Sequence, residues 1–190
     1  MKQIDEYSDI ELFDMLSASK KQSEIAFSEL YRRHSPRVFT YCKRFIGNPD
    51  EAKDVFQESF IRFYKSAQKE RVMTNVPAFL LRIARNMCVN HLKQRKIHEG
   101  NISFEDYMIS QDDKSHSNDT ELLELINAAL DTLPDKYKEM FILREFDGLS
   151  YNDIAEVTEE TVANVKIRIH RSKQKIREIL EPYIKELDKL

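Results

Sequence analysis

Leu149-Ser150-Tyr151-Asn152-Asp153-Ile154-Ala155-Glu156-Val157 is followed by Thr158-Glu159-Glu160 and then by Thr161-Val162-Ala163-Asn164-Val165-Lys166-Ile167-Arg168-Ile169-His170-Arg171-Ser172-Lys173. Ser150 can cap a short helix, and Asp153 stands three residues on, where it can return the bond to the cap in a variant capping box. Thr158-Glu159-Glu160 reads as a turn, and Thr161 can cap a second helix. A short helix, a tight turn and a longer helix make a helix-turn-helix. On the longer helix Val162, Val165, Ile169, Ile176 and either Ile179 or Leu180 fall near one stripe, while Asn164, Lys166, Arg168, Arg171 and Lys175 project elsewhere.

The charges of this stretch are one-sided. From Thr161 to Arg177 they are Lys166, Arg168, Arg171, Lys173, Lys175 and Arg177, with no acid. A solvated face on an ordinary bundle helix can also be basic. The capped helix in front and the absence of acids favour nucleic acid, because a cationic face gains affinity by releasing the counterions condensed on DNA, and Arg or Asn can add base contacts.

Away from this stretch, the 190 residues are 41% hydrophobic and 33% charged, with only 3 Gly and 5 Pro, which predicts an all-α chain. The net charge of -3 hides a strong segregation. Pro77 to Ile97 carries Arg82, Arg85, Lys93, Arg95 and Lys96 without an acid, whereas Glu99, Glu105, Asp106, Asp112, Asp113, Asp119 and Glu121 follow, relieved only by Lys114. Periodicity fades in the same stretch, and serines join the acids. Residues 98–118 are therefore expected to be a flexible acidic linker between two small helical domains, 23–97 and 119–190, with a lead-in helix over residues 1–22.

The first half reads as a helical bundle. Phe27, Leu30 and Tyr31 begin an apolar stripe, Ser35-Pro36 suggests a restart, and Val38, Tyr41, Cys42, Phe45 and Ile46 continue it. Gly47 suits a C-terminal cap, and Asn48-Pro49-Asp50-Glu51 offers an N-cap, a first-turn proline and acids for a helix to about Ala67. Val76-Pro77 opens another helix with Phe79, Leu80, Ile83, Met87 and Leu92. In the second half Leu122, Leu123, Leu125, Ile126, Ala129 and Leu130 form an apolar helix; Pro134 opens one with Tyr137, Met140, Phe141 and Phe146 inward, ending at Asp147-Gly148.

Several classes of function find no support. Cys42 and Cys88 lack a second Cys or His at metal-ligand spacing, so no metal or cofactor is expected and a reduced, cytoplasmic protein is the simple reading. No window is apolar enough to insert in a membrane, and the acidic start does not suit a signal peptide. His34, His91, His98, His116 and His170 form no catalytic cluster and there is no Gly-rich phosphate loop, which argues against an enzyme.

Leu133-Pro134, Phe141-Ile142-Leu143-Arg144-Glu145 and Gly148-Leu149-Ser150-Tyr151-Asn152-Asp153-Ile154-Ala155 together resemble the fourth region of sigma-70 family factors. Asn164-Val165-Lys166-Ile167-Arg168 is similar to its recognition-helix signature, with Asn164 and Ile167 where the family usually has threonine and serine, and Glu159 where the turn often has glycine. Independently, Asp50 to Tyr64 resembles the second region's polymerase-binding helix, and Ala78 to Asn86 with Asn90 to Lys96 resembles its promoter-melting segment, with Phe79 for a frequent tryptophan and Asn90 for a frequent aspartate. The two matches occur in the family's order, and a chain with only these two regions points to the compact extracytoplasmic-function group.

The resemblance implies a sigma factor that binds core RNA polymerase and promoter DNA, with an anti-sigma factor as a further partner found for many relatives. Asp54, Gln57, Glu58 and Arg62 would meet polymerase, while Val55, Phe56, Phe60 and Phe63 face the bundle. Lys69, Arg71, Asn75, Arg82, Arg85, Asn86 and Lys93 would handle the minus-10 element. Ser150, Thr161, Asn164, Lys166, Arg168, Arg171 and Lys173 would handle the minus-35 element. A stand-alone helix-turn-helix regulator is the alternative, and the Asp50–Tyr64 helix is what it would not need.

Overall fold

The computed structural model describes residues 3–69, 73–99 and 118–187. The expected linker, apart from its ends, lies outside the described residues, as do Arg71, Asp112 and Asp113. A short 3-10 turn over Ile4–Glu6 precedes α1 (Asp9–Met15), α2 (Lys20–Ile46), α3 (Pro49–Ala67) and α4 (Val76–Glu99). Then come α5 (Asn118–Thr132), α6 (Asp135–Phe141), a π-helical turn (Ile142–Phe146), α7 (Tyr151–Thr158) and α8 (Val162–Leu187). There is no strand among the described residues, so the all-α expectation holds. The chain forms two compact units, one of Met1–Leu92 with Glu156–Glu159 and one of Lys93–Ala155 with Glu160–Leu190.

Local chemistry sets the joints of the first unit. Ser8 and Glu11 close a capping box at the start of α1, with the Glu11 amide donating to Ser8 Oγ at 3.2 Å and the Ser8 amide to the Glu11 carboxylate at 2.7 Å. Gly47 ends α2 at φ 86°, a left-handed conformation that glycine adopts without a Cβ clash. Asn48 Oδ1 then accepts the Asp50 and Glu51 amides at 3.0 and 3.1 Å, with Pro49 in the first turn of α3 as expected. At Ser35-Pro36 the chain does not restart: α2 runs unbroken through Pro36. A proline here loses one helical hydrogen bond, but Leu30 and Tyr41 on either side are fully buried, and tertiary packing of that kind outweighs local propensity.

Aromatic rings line a seam through the core of this unit. α3 turns Ala52, Val55, Phe56, Ser59, Phe60, Phe63 and Ala67 inward. Rings from α2 and α3 meet along their seam: Phe27 and Tyr64 at 5.3 Å, Tyr31 and Phe60 at 4.7 Å, Phe39 and Phe56 at 5.4 Å between centroids. Such pairs contribute about 0.5–1.5 kcal/mol each beyond the area they bury. α1 closes one side, its Phe13 lying 5.9 Å from Phe63 and 6.2 Å from Phe79. Cys42 of α2 and Cys88 of α4 are both fully buried, their sulfurs 3.7 Å apart as free thiols.

One buried carboxylate ties α2 to the N-terminal turns. Glu29 accepts from Arg32 Nε at 2.8 Å and Nη2 at 2.7 Å, and from Arg33 Nε at 2.7 Å. Those hydrogen bonds, first from Arg32 and then from Arg33, hold its pKa down from 4.5 to about 2 against the opposing effect of burial. Arg33 continues outward to the Tyr7 carbonyl at 2.8 Å and Asp9 at 2.9 Å.

In the second unit Leu125, Ala129, Leu130 and Leu133 from the end of α5 and its exit pack with Ile176 and Leu180 of α8, flanked by Tyr137, Phe141 and Phe146. The last two of these are less central than their spacing predicts. Met140 is fully buried as expected, and Ile142 and Leu143 beside it, which were not expected to face inward, are fully buried too. The physical reason is the π-helical turn: the Asp147 amide reaches back five residues to the Ile142 carbonyl at 3.0 Å, which widens the helix and rotates its inward positions.

Candidate nucleic-acid interface

α7, its turn and α8 form the helix-turn-helix. The Asp153 amide donates to Ser150 Oγ at 3.1 Å and the Ser150 amide to Asp153 Oδ2 at 3.2 Å, so the capping box forms as the spacing requires. Ser150 Oγ is thereby committed to its own helix, donating to Asp153 at 2.6 Å as well. At the turn Glu159 takes φ 57°, and the Glu160 amide donates to the Ala155 carbonyl at 3.0 Å. That is a Schellman closure with a non-glycine residue in the left-handed position. Thr161 Oγ1 accepts the Asn164 amide at 3.2 Å and starts α8.

α8 buries Val165, Ile169, Ser172, Ile176 and Leu180 on one stripe, at the spacing of the expected apolar positions. The residues expected at the minus-35 element divide into two groups. Thr161, Asn164, Lys166, Arg171 and Lys173 are exposed. Arg168 is only half-exposed, because its Nη1 donates to Glu160 in the turn, and the other oxygen of that carboxylate is buried without a hydrogen-bond partner. Lys166 has its ammonium 5.7 Å from the centre of the Tyr151 ring, which Arg144 also covers at 4.7 Å. Lys173 pairs with Glu145 at 2.8 Å. Asn164 and Arg171 are thus exposed residues of the expected set outside these interactions. Ile167, half exposed at 50%, lies on the same outward side and was not in that set.

On α3, Asp54, Gln57 and Arg62 are exposed and Glu58 is half-buried, accepting from Arg62 Nε at 2.9 Å. These four share the side of α3 opposite the aromatic seam, as the spacing predicts. Ile61 sits among them with 46% of its surface exposed. Sequence reasoning missed it, although its offsets of four from Gln57 and three from Glu58 place it on that face. Of the residues expected at the minus-10 element, Lys69 is exposed in the turn after α3, and Asn86 and Lys93 are exposed on α4. Asn75 caps α4 instead of standing free: its Oδ1 accepts the Ala78 amide at 3.1 Å. Arg82 lies over the Phe79 ring at 5.4 Å, and Arg85 donates to Asn86 Oδ1 at 3.1 Å.

Two family descriptions match the chain where these elements lie: sigma-70 region 2 over residues 30–97 and sigma-70 region 4 over residues 123–176. The Haemophilus influenzae protein called ECF RNA polymerase sigma-E factor is 32% identical over 169 residues, 83% of this chain and 88% of its own length. The chain belongs to the sigma-70 family, in its extracytoplasmic-function group. Another similar member, ECF RNA polymerase sigma factor SigE of Mycolicibacterium smegmatis, is 31% identical over 165 residues; the match spans 85% of this chain and 64% of that protein. The fold is shared with the sigma factor RpoE solved in complex with the anti-sigma factor NepR from Bartonella quintana, at a TM-score of 0.64 and 20% identity, over 82% of this chain and 96% of that one. No helix among the described residues is long and apolar enough to cross a membrane.

Proposed function

We propose that this extracytoplasmic-function sigma factor binds core RNA polymerase through the outward face of α3 and directs promoter-specific initiation, α4 acting at the minus-10 element and α8 at the minus-35 element. The observation that carries the reading is the pairing, in one chain, of a capped helix-turn-helix whose long helix has no acid from Thr161 to Arg177 with an α3 face of Asp54, Gln57, Glu58, Ile61 and Arg62. A stand-alone DNA-binding regulator would not need the second of these.

The division of labour follows from chemistry. Cations on α8 neutralise phosphates and fix register, while side chains aimed at base edges supply sequence preference. At the minus-10 element an opened base costs a few kcal/mol of stacking and pairing, which contacts from Lys69, Arg82, Arg85, Asn86 and Lys93 would offset. Residues 23–97 are assigned to region 2, 119–190 to region 4 and 98–118 to the connection between them. The protein supplies specificity and carries no catalytic group of its own; polymerase performs the chemistry, in the cytoplasm. A protein inhibitor is a natural third partner, since the similar RpoE fold was solved with an anti-sigma factor.

Run-off transcription tests this reading. Core polymerase is incubated on genomic promoter fragments with and without the protein. Discrete transcripts that require the protein are expected; transcription unaltered by it, with DNA binding retained, would return the stand-alone regulator.

A further inference from the structure

Resting on the promoter-binding reading, we propose that Ile167 reads a thymine in the minus-35 element through the 5-methyl group of the base.

Isoleucines scattered singly on a protein surface are ordinary. The position of this one is not. Val165 and Ile169, two residues to either side, are buried at 0% and 3%, so at 100° per residue Ile167 points directly away from the domain's own core. Half of its surface is exposed, and among the described residues it is the one large apolar side chain of α8 that is exposed to this degree. Asn164 and Arg171, three residues before and four after, are exposed on the same side. Together they make an outward stripe of amide, branched alkyl and guanidinium.

That stripe is what remains between Thr161 and Lys173 once the other Lys and Arg side chains of that stretch are accounted for. Arg168 is bonded to Glu160 and Lys173 to Glu145, while Lys166 leans over Tyr151. The surrounding stretch has no acid, so it is suited to a phosphate-lined groove and poorly suited to an apolar or cationic partner. Within a major groove the one apolar feature among the base edges is the thymine methyl, whereas adenine and guanine offer the paired groups that asparagine and arginine contact. From Asn164 to Arg171 the helix rises by about 10 Å, close to three base-pair steps, which leaves Ile167 over a base between the two polar contacts.

The experiment uses holoenzyme assembled from the full chain and core polymerase. Promoter DNA randomised across the minus-35 element is selected for binding, and each enriched thymine is then replaced by deoxyuridine, which removes only the methyl group. One position is expected to lose about three- to tenfold in affinity with the wild-type protein, the scale of a single buried methyl contact. Ile167→Ser should abolish that sensitivity and relax selection at the same position, while Ile167→Val should keep it. Core-polymerase binding and the salt dependence of promoter binding should be unchanged in both variants, since Ile167 carries no charge. Equal deoxyuridine sensitivity in wild type and Ile167→Ser would overturn the inference. So would an Ile167→Ser defect confined to a protein-binding step, which would assign the side chain to a protein contact. If an element is enriched but no thymine responds, this inference alone fails; if no element is enriched, it falls together with the promoter-binding reading.

Discussion

Arg168 and Arg171 lie three positions apart on α8, yet truncating them should have different effects. Arg168 neutralises Glu160, whose second oxygen is buried without a partner, so Arg168→Ala leaves a desolvated carboxylate and should cost about 1–3 kcal/mol of stability in the second unit. Arg171 is exposed, and Arg171→Ala should leave thermal unfolding unchanged while weakening promoter binding by about 1–3 kcal/mol and relaxing selection at the base it contacts. Equal melting temperatures for the two variants would contradict this assignment. At Glu159 the expected sign is the reverse. A side chain in the left-handed region costs about 1–2 kcal/mol, against about 0.5–1 for the extra chain entropy of glycine. Glu159→Gly should therefore raise the unfolding temperature, whereas Gly148→Ala should lower it through φ +66° alone, since an added Cβ would meet nothing within 4 Å. Glu29 sets a pH limit. Its carboxyl is depressed in the folded state, so its contribution is complete above the ordinary value of 4.5 and is lost as pH falls through about 2. In acid titrations followed by circular dichroism, wild type should lose stability across that window, and Glu29→Gln should start lower and change less. Several of these features are hidden from sequence. The pattern places Arg168 among cations, but its pairing depends on how the turn folds Glu160 back over it.

At the scale of elements, α3 presents two faces with separable roles, and a triple substitution distinguishes them. Replacing Asp54, Gln57 and Glu58 by alanine removes polar groups from the outward side and leaves Phe56, Phe60 and Phe63 in the aromatic seam, so helicity and melting temperature should hold within about 0.5 kcal/mol. Core-polymerase affinity should fall by more than about tenfold, because central interface residues commonly cost over about 1 kcal/mol each on truncation. A folded triple mutant with wild-type affinity for polymerase would remove α3 from the interface. Most of the elements themselves are legible from local signals. Asn48-Pro49 caps α3, Ser150 with Asp153 caps α7, and the period of α8 gives its buried stripe. The two places where local reading departs from the structure have a common cause. Pro36 is carried inside α2, and the inward positions after Phe141 shift through a π-helical turn, because in both segments packing against neighbouring helices decides what propensity alone leaves open. The exposed Ile61 and Ile167 were missed for a different reason: their offsets place both on the outward faces, but a binding surface sought among charged and amide side chains passes over an apolar one.

For the molecule as a whole, a net charge of -3 says little about what it binds, because the acid-free stretches at Pro77 to Ile97 and Thr161 to Arg177 are separated by an acidic one. The presence of two regions was legible from that segregation and from the order of the motifs; which cations are left exposed was not, since it depends on acids brought near by folding, as Glu145 is to Lys173. The buried thiols have a further use. The chain contains only two cysteines, and Cys42 and Cys88 both lie at zero exposure in the first unit. An alkylating reagent can reach either sulfur only when that unit opens, and the second unit has no thiol to report. Labelling rates measured under native conditions should therefore follow the opening free energy of the first unit alone. Arg168→Ala should leave that rate unchanged, whereas a cavity such as Phe63→Ala, at about 3–5 kcal/mol, should raise it by two orders of magnitude or more. The wild-type sequence thus contains a built-in clock for one half of the protein, readable by mass spectrometry without introducing a probe.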